Sequence, residues 1–237
     1  MKLVIAEKPL VAFSIAKALG ISGKKDGYIE GGGYIITWCV GHLVALAEPS
    51  TYDNRFAKWA YEDLPIIPEH FKYKINGEKN KQFKVVKDFM HKKDVTEVIN
   101  ACDAGREGEL IFRLVYNQAG CKKPIKRLWI SSMEEIAIRE GFDSLKDGSE
   151  YENLYNSALC RLWADWIVGI NATRLFSLLY KKTLNIGRVQ TPTLALLADR
   201  NNKITFFQKE KYYTVSIDTG SVKAVSERID NLPHAEE

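Results

Sequence analysis

An apolar run that ends in acids constrains this chain more than any other stretch. In "VINACDAGREGELIFR", residues 98–113, Val98 to Cys102 reads as a buried strand, and Leu110, Ile111, Leu114 and Val115 recur at helical spacing. Asp103, Glu107 and Glu109 therefore gather at one strand-to-helix turn, where open α/β sheets place their chemistry. Gly105 and Gly108 let a backbone or a phosphate come close to that turn. Oxygen ligands clustered without His or Cys suit a hard cation, and Mg²⁺ is the usual one where phosphates are handled.

A second acid arrives in the same way at the N-terminus. In "KLVIAEKPLVAFSIAKALG", the strand Leu3 to Ala6 ends at Glu7 and Lys8, and Pro9 opens an amphipathic helix where its missing N–H costs nothing. Strands near 3–6, 34–39, 97–102 and 126–130 alternate with helices near 9–19, 80–91, 107–119 and 134–145. This alternation predicts an α/β domain, a mostly parallel sheet flanked by helices on both faces. Ser132 with Glu135 reads as a capping box for the last of those helices, and "YIEGGGYIITWCV" as a hairpin turned by Gly31 to Gly33. Residues 48–78 read as an irregular insertion, and "LKDGSEYEN" as a boundary. Beyond it, Leu154, Ala158, Leu162, Trp166 and Ile170 mark a long packed helix, with Arg161 and Asp165 placed to pair. Trp163 and Trp166 are expected in its core, ahead of any base-stacking role.

Charge is concentrated rather than spread. Lys72 to Lys93 holds eight lysines against Glu78 and Asp88, and Asn171 to Lys211 holds eight basic residues against Asp199 and Glu210. Each stretch is +6, so with a net charge of +4 the remainder is −8. Such concentration suits a surface that follows a phosphate backbone, although the first stretch is equally a solvated helix face. Cys39, Cys102, Cys121 and Cys160 show no CxxC pairing and read as buried reduced thiols. No stretch has the length of a membrane span and no signal region is visible, so no membrane partner is expected and cytoplasm is the expected compartment.

"IAEKP" followed by "DAGREGELI" resembles the Toprim domain shared by topoisomerases, DnaG-type primases and related nucleases. "RLWADWIVGINATRLFSLLYKKTLNIGRVQTPTLALLADR" and "WCVGHLVALAEPSTYD" resemble the topoisomerase III branch of type IA DNA topoisomerases, over residues 1 to about 230. The resemblance implies a Toprim domain at 1–150, a mainly helical DNA-binding domain at 151–210 and the start of a gate domain at 211–237. It implies Lys8 as the residue that binds the scissile phosphate, and Glu7 either as general acid or as metal ligand. Glu7, Asp103 and Glu107 would hold Mg²⁺, while Arg106, Arg174, Arg188, Gln190 and Thr193 would contact single-stranded DNA. Without it, Thr191 and Thr193 read equally as helix caps, and His42 as a hydrogen-bonded structural residue.

Two departures qualify what the resemblance implies. The family pattern is Asp-x-Asp-x-Glu, but Gly105 stands at the middle acid, which favours one Mg²⁺ over two. None of the eleven tyrosines lies in the "G-x-I-T-Y-x-R" context of the family nucleophile. The expectation is an N-terminal fragment of an ATP-independent, nucleoid-associated type I topoisomerase that binds single-stranded DNA without cleaving it. A helicase or other DNA-processing partner would join the intact protein. The alternatives are a Toprim nuclease or primase, which needs no "GRVQTPTL", and a DNA-binding module without turnover.

Overall fold

In the computed structural model, which describes residues 1–236, the first strand lies near the middle of a seven-stranded sheet. The strands are β1 (Lys2–Ala6), β2 (Gly23–Lys25), β3 (Tyr28–Gly31), β4 (Tyr34–Trp38), then β5 (Val44–Leu46) and β6 (Tyr73–Ile75) as a separate pair, β7 (Glu97–Ala101), β8 (Ile125–Arg127) and β9 (Lys146–Asp147). The large sheet runs in the order β2, β3, β4, β1, β7, β8, β9. Its four central strands are parallel, and antiparallel strands close both edges. The sheet is thus mixed, with the parallel centre that the alternation implies. The glycine turn at 32–33, with φ of 56° and 84°, forms the β3–β4 hairpin.

Helices α1 (Pro9–Ala18), α2 (Asn80–His91), α3 (Arg106–Ala119) and α4 (Glu135–Asp143) cover the two faces, and α5 (Glu152–Tyr180) packs on α3. Alternation along the strands assigns the sides. Leu3, Ile5, Ile35 and Val98 pack with Phe83 and Val86 of α2 and Leu110 and Leu114 of α3. Val4, Ala6, Ile36 and Ile99 pack with Ala12 and Ile15 of α1 and Ile138 of α4. Burial on both faces explains why β1 has no polar residue between Leu3 and Ala6.

The expected capping box at Ser132 is not formed. Ser132 Oγ accepts from the Glu134 N–H, making a local turn before α4, and Glu134 stands at the N-cap without a side-chain bond. The capping box lies instead at Asp147 and Glu150, in a 3₁₀ turn leading into α5. There the bonds from Ser149 and the Lys126 ammonium hold the Asp147 carboxyl down at about 2.

The chain forms two compact units, Met1–Arg188 and one beginning at Val189, so the turn chemistry at 145–153 falls inside the first. It stays there because α5 continues the core: Tyr155, Ala158 and Leu159 are buried with α3, with Leu162 and Trp163 packed against them. Residues 48–78 are not loose either. Trp163 stacks on Phe71 with centroids 5.2 Å apart, Trp166 meets Tyr52 edge-on at 5.8 Å, and the Asn171 amide clasps both backbone groups of Ile66. The second unit contains α6 (Gln190–Thr205), the antiparallel pair β10 (Ser216–Asp218) and β11 (Lys223–Val225), and α7 (Leu232–Glu236). Among the described residues, no helix is long and apolar enough to cross a membrane.

Candidate metal and phosphate site

Adjacent parallel strands set the geometry of the site. Ala6 of β1 is in register with Ala101 of β7, so Glu7 and Asp103 emerge side by side at their carboxyl ends. Glu7 is 7% exposed, while Asp103 stands open to solvent. Lys8 leaves β1 in extended conformation and places Nζ 3.2 Å from Glu7 Oε1 and 3.9 Å from Asp103 Oδ2. Its hydrogen bond to Glu7, then the charges of Glu7 and Asp103, raise the ammonium above its ordinary value. Two carboxylates therefore face one cationic position.

The turn carrying Asp103 is braced from below. Arg127, fully buried on β8, donates from Nη2 to Asp103 O at 2.7 Å and from Nη1 to Cys102 O at 2.6 Å and Leu128 O at 2.8 Å. Glu109, 1% exposed, lies 3.1 Å from Arg127 Nε in an ionic contact without hydrogen-bond alignment. Glu109 also accepts from Arg113 Nε at 2.9 Å and Asn100 Nδ2 at 2.8 Å. Glu109 is thus a buried structural acid and not a member of the exposed cluster that the sequence suggested. Two residues along a helix turn a side chain about 200° away, so Glu107 and Glu109 cannot share a face. The signal for Arg127 was a charge within an apolar strand, and sequence reading overlooked it.

Gly108 serves a purpose distinct from Gly105. A Cβ at Gly108 would lie 2.2 Å from Asp103 O and 2.7 Å from Asp103 N, so the helix can approach the turn only without a side chain. Gly105 has φ of 178° and nothing within 4 Å of a Cβ position, so neither its backbone nor its Cβ position requires glycine. Gly108→Ala is expected to cost about 1–3 kcal/mol, the range for a forced backbone shift in a packed site. Urea unfolding measures this, and an unchanged midpoint would contradict the close approach.

Glu107 turns elsewhere. Its Oε1 accepts from His42 Nε2 at 2.5 Å, so the His42 reading as a hydrogen-bonded residue finds its partner here. An ionised carboxylate only accepts, which places the ring proton on Nε2. Among the described residues, no three His, Cys, Asp or Glu side chains converge to hold a metal. Glu7 and Asp103 nevertheless fit a hard cation, since both present oxygens to the position now facing the Lys8 ammonium. Mg²⁺ commonly takes only one or two carboxylates, the rest of its shell being water and phosphate.

Beside the acids, a cavity of about 450 Å³ is lined by His42, Arg106, Glu107, Leu110, Arg161 and Asp165. Asp165 lies 3.6 Å from Arg161 and 3.3 Å from Arg188. Arg106 and Arg188 are exposed. Arg174 is not: at 6% exposure it donates from Nη2 to Phe56 O at 2.8 Å and lies over the Trp59 ring, fixing α5 to the 54–57 turn. The structure therefore corrects its place in the exposed basic strip, because an inward position on α5 leaves it no solvent face. Gln190 and Thr193 open α6 in the second unit, where Thr193 Oγ1 donates back to Val189 O and caps nothing.

Comparison with known proteins divides the chain earlier than the compact units do, between residues 133 and 149. Residues 2–133 match the Toprim domain, more than half of the chain. The chain belongs to the Toprim family. Residues 149–237 match the family described as DNA topoisomerase. The chain is 53% identical over 216 residues to DNA topoisomerase 3 of Staphylococcus epidermidis, covering 91% of itself and 30% of that protein. It is 50% identical to DNA topoisomerase 3 of Bacillus anthracis, over the same 91% and 30%. This Toprim chain is thus similar to those DNA topoisomerase 3 proteins and spans about 30% of their length. Full-length topoisomerase I from Thermotoga maritima has the same fold over 98% of this chain and 36% of its own, with a TM-score of 0.61 and 22% identity.

Proposed function

We propose that this chain holds the Mg²⁺ and the scissile phosphate in a DNA topoisomerase III-type reaction, the ATP-independent passage of one strand through a transient break in another. The observation that carries this reading is the Lys8 ammonium set between Glu7 and Asp103 at paired strand ends. An ammonium aimed at a phosphoryl group stabilises charge that grows in the transition state. Glu7 either gives its proton to the departing 3′ oxygen or helps hold the metal. Glu7 and Asp103 would hold Mg²⁺, which when bound supplies positive charge to the phosphate oxygens. Arg106, Arg188, Gln190 and Thr193 would contact the single strand, and Arg174 would act through packing alone. A tyrosine in the context "G-x-I-T-Y-x-R" would supply the nucleophile of the whole reaction, and this chain has none. A helicase partner and a place in the nucleoid belong to the same proposal.

Calorimetric titration tests the metal assignment. Mg²⁺ is expected to bind weakly, with about one ion per chain, since few carboxylates are present to displace its water. Asp103→Asn should abolish the heat. Gly105→Asp, whose Cβ meets no neighbouring atom, should tighten binding by restoring the middle acid of the family pattern. Equal heats in all three proteins would refute the assignment.

A further inference from the structure

Outside the Lys8 cluster, the best-built feature of the site is the attachment of Glu107. His42 sits on the connection from β4 to β5, where Gly41 takes φ of 63° and Lys79 Nζ donates to Val40 O at 2.6 Å and His42 O at 3.2 Å. Lys79 precedes α2, so the loop is fastened from a different element and the ring is carried to Glu107 across 65 residues of sequence. The same ring–carboxylate pair forms one wall of the cavity that Arg106, Arg161 and Asp165 complete. Lys8 reaches Glu7 and Asp103, whereas Glu107 is engaged with His42.

We propose that His42, held by Lys79, is a positioning residue that withholds Glu107 from the Glu7–Asp103 pair, so that Glu107 becomes a cation ligand only on release from the ring. The inference rests on the Mg²⁺ reading above and adds a residue to it. Release exchanges one hydrogen bond of an ionised acceptor for one ligand bond, and the site stays weak for Mg²⁺ until that exchange happens. Such a device favours loading when another group engages the His42 ring or when phosphate oxygens complete the cation's shell.

The test uses Mg²⁺ alone, by calorimetry, on the full chain, with thermal midpoints recorded to show that the variants fold. His42→Ala is expected to tighten Mg²⁺ binding roughly tenfold, the order of one hydrogen bond to a charged group. His42→Gln, whose amide nitrogen reaches the position of the ring Nε2 and can donate to the same oxygen, should restore the wild-type affinity. Lys79→Met should shift affinity in the same direction as His42→Ala by a smaller factor, by loosening the loop. The double variant His42→Ala, Glu107→Gln should lose the gain, which a general loosening of the fold would not predict. A second readout is the ¹⁵N signal of the His42 ring, which Mg²⁺ should move in the wild type and leave in place in Glu107→Gln. Wild-type binding with no gain in His42→Ala, or with an unmoved ring signal, would overturn this proposal and leave the Mg²⁺ reading standing. No binding in any variant would overturn both, whereas binding seen only in His42→Ala would support it.

Discussion

Arg127→Ala is expected to destabilise the first unit by about 3–5 kcal/mol, the range for breaking a buried ion pair from one side. The guanidinium is entirely out of water, and burial pushes it below its ordinary value against the opposing charge of Glu109. Its removal strands two kinds of group at once. Glu109 would keep a buried charge with Arg113 and Asn100 as its remaining partners, and the carbonyls of Cys102, Asp103 and Leu128 would lose their donor. Arg127→Met fills the volume without restoring either, so it should lose nearly as much. Adding Glu109→Gln to Arg127→Met should cost less than the two single changes summed, since each removes the other's unpaired partner. Urea unfolding followed by circular dichroism gives the values, and Mg²⁺ titration of Arg127→Met reports whether the Asp103 turn has shifted. A loss under 1 kcal/mol for Arg127→Ala would mean that water or a repacked Arg113 replaces the brace.

That brace also marks the limit of what the residues alone disclosed. The strand ends that carry Glu7 and Asp103 were legible because apolar runs of period-independent hydrophobicity stop abruptly at acids, and burial on both faces dictates such runs. Which acid points outward was not legible, because Asp103, Glu107 and Glu109 are indistinguishable in composition and only the helical phase separates them. Glu109 goes to Arg113, one turn along, and to Arg127, whose strand pairs beside β7. Arg174 shows the same ambiguity in reverse. Within a basic stretch it reads as a phosphate contact, yet the insertion at 48–78 covers that side of α5 and claims it. Trp163 and Trp166 were expected in the core, yet both are half-buried: Trp163 packs at its edge on Phe71, and Trp166 spends its indole N–H on Ala47 O. The Lys79 tether was invisible in sequence, because it rests on two backbone carbonyls and no side-chain pattern encodes a carbonyl's position.

Single-stranded DNA is expected to bind this chain with a salt dependence set by its exposed cations, and to remain uncut. If about four phosphates are neutralised, log K falls against log salt with a slope of about −3 for single strands. Arg188→Ala should weaken binding across sequences and reduce that slope by about 0.7, the contribution of one phosphate contact. Arg188 is also one of two arginines beside Asp165, so Asp165→Asn frees both Arg161 and Arg188 and should strengthen binding. Arg174→Ala is the internal control: its guanidinium is spent on Phe56 O, so it should lower the unfolding midpoint while leaving the salt slope unchanged. Lys8→Ala should alter ground-state binding less than Arg188→Ala does, because its interaction with phosphate counts most where charge grows in the transition state. Fluorescence anisotropy of a labelled oligothymidylate over a series of salt concentrations gives the slopes, and a denaturing gel after incubation with Mg²⁺ detects any protein-linked DNA. Salt-independent binding would remove the proposed cationic surface, and a covalent adduct on any of the eleven tyrosines would overturn the assignment of the nucleophile outside this chain.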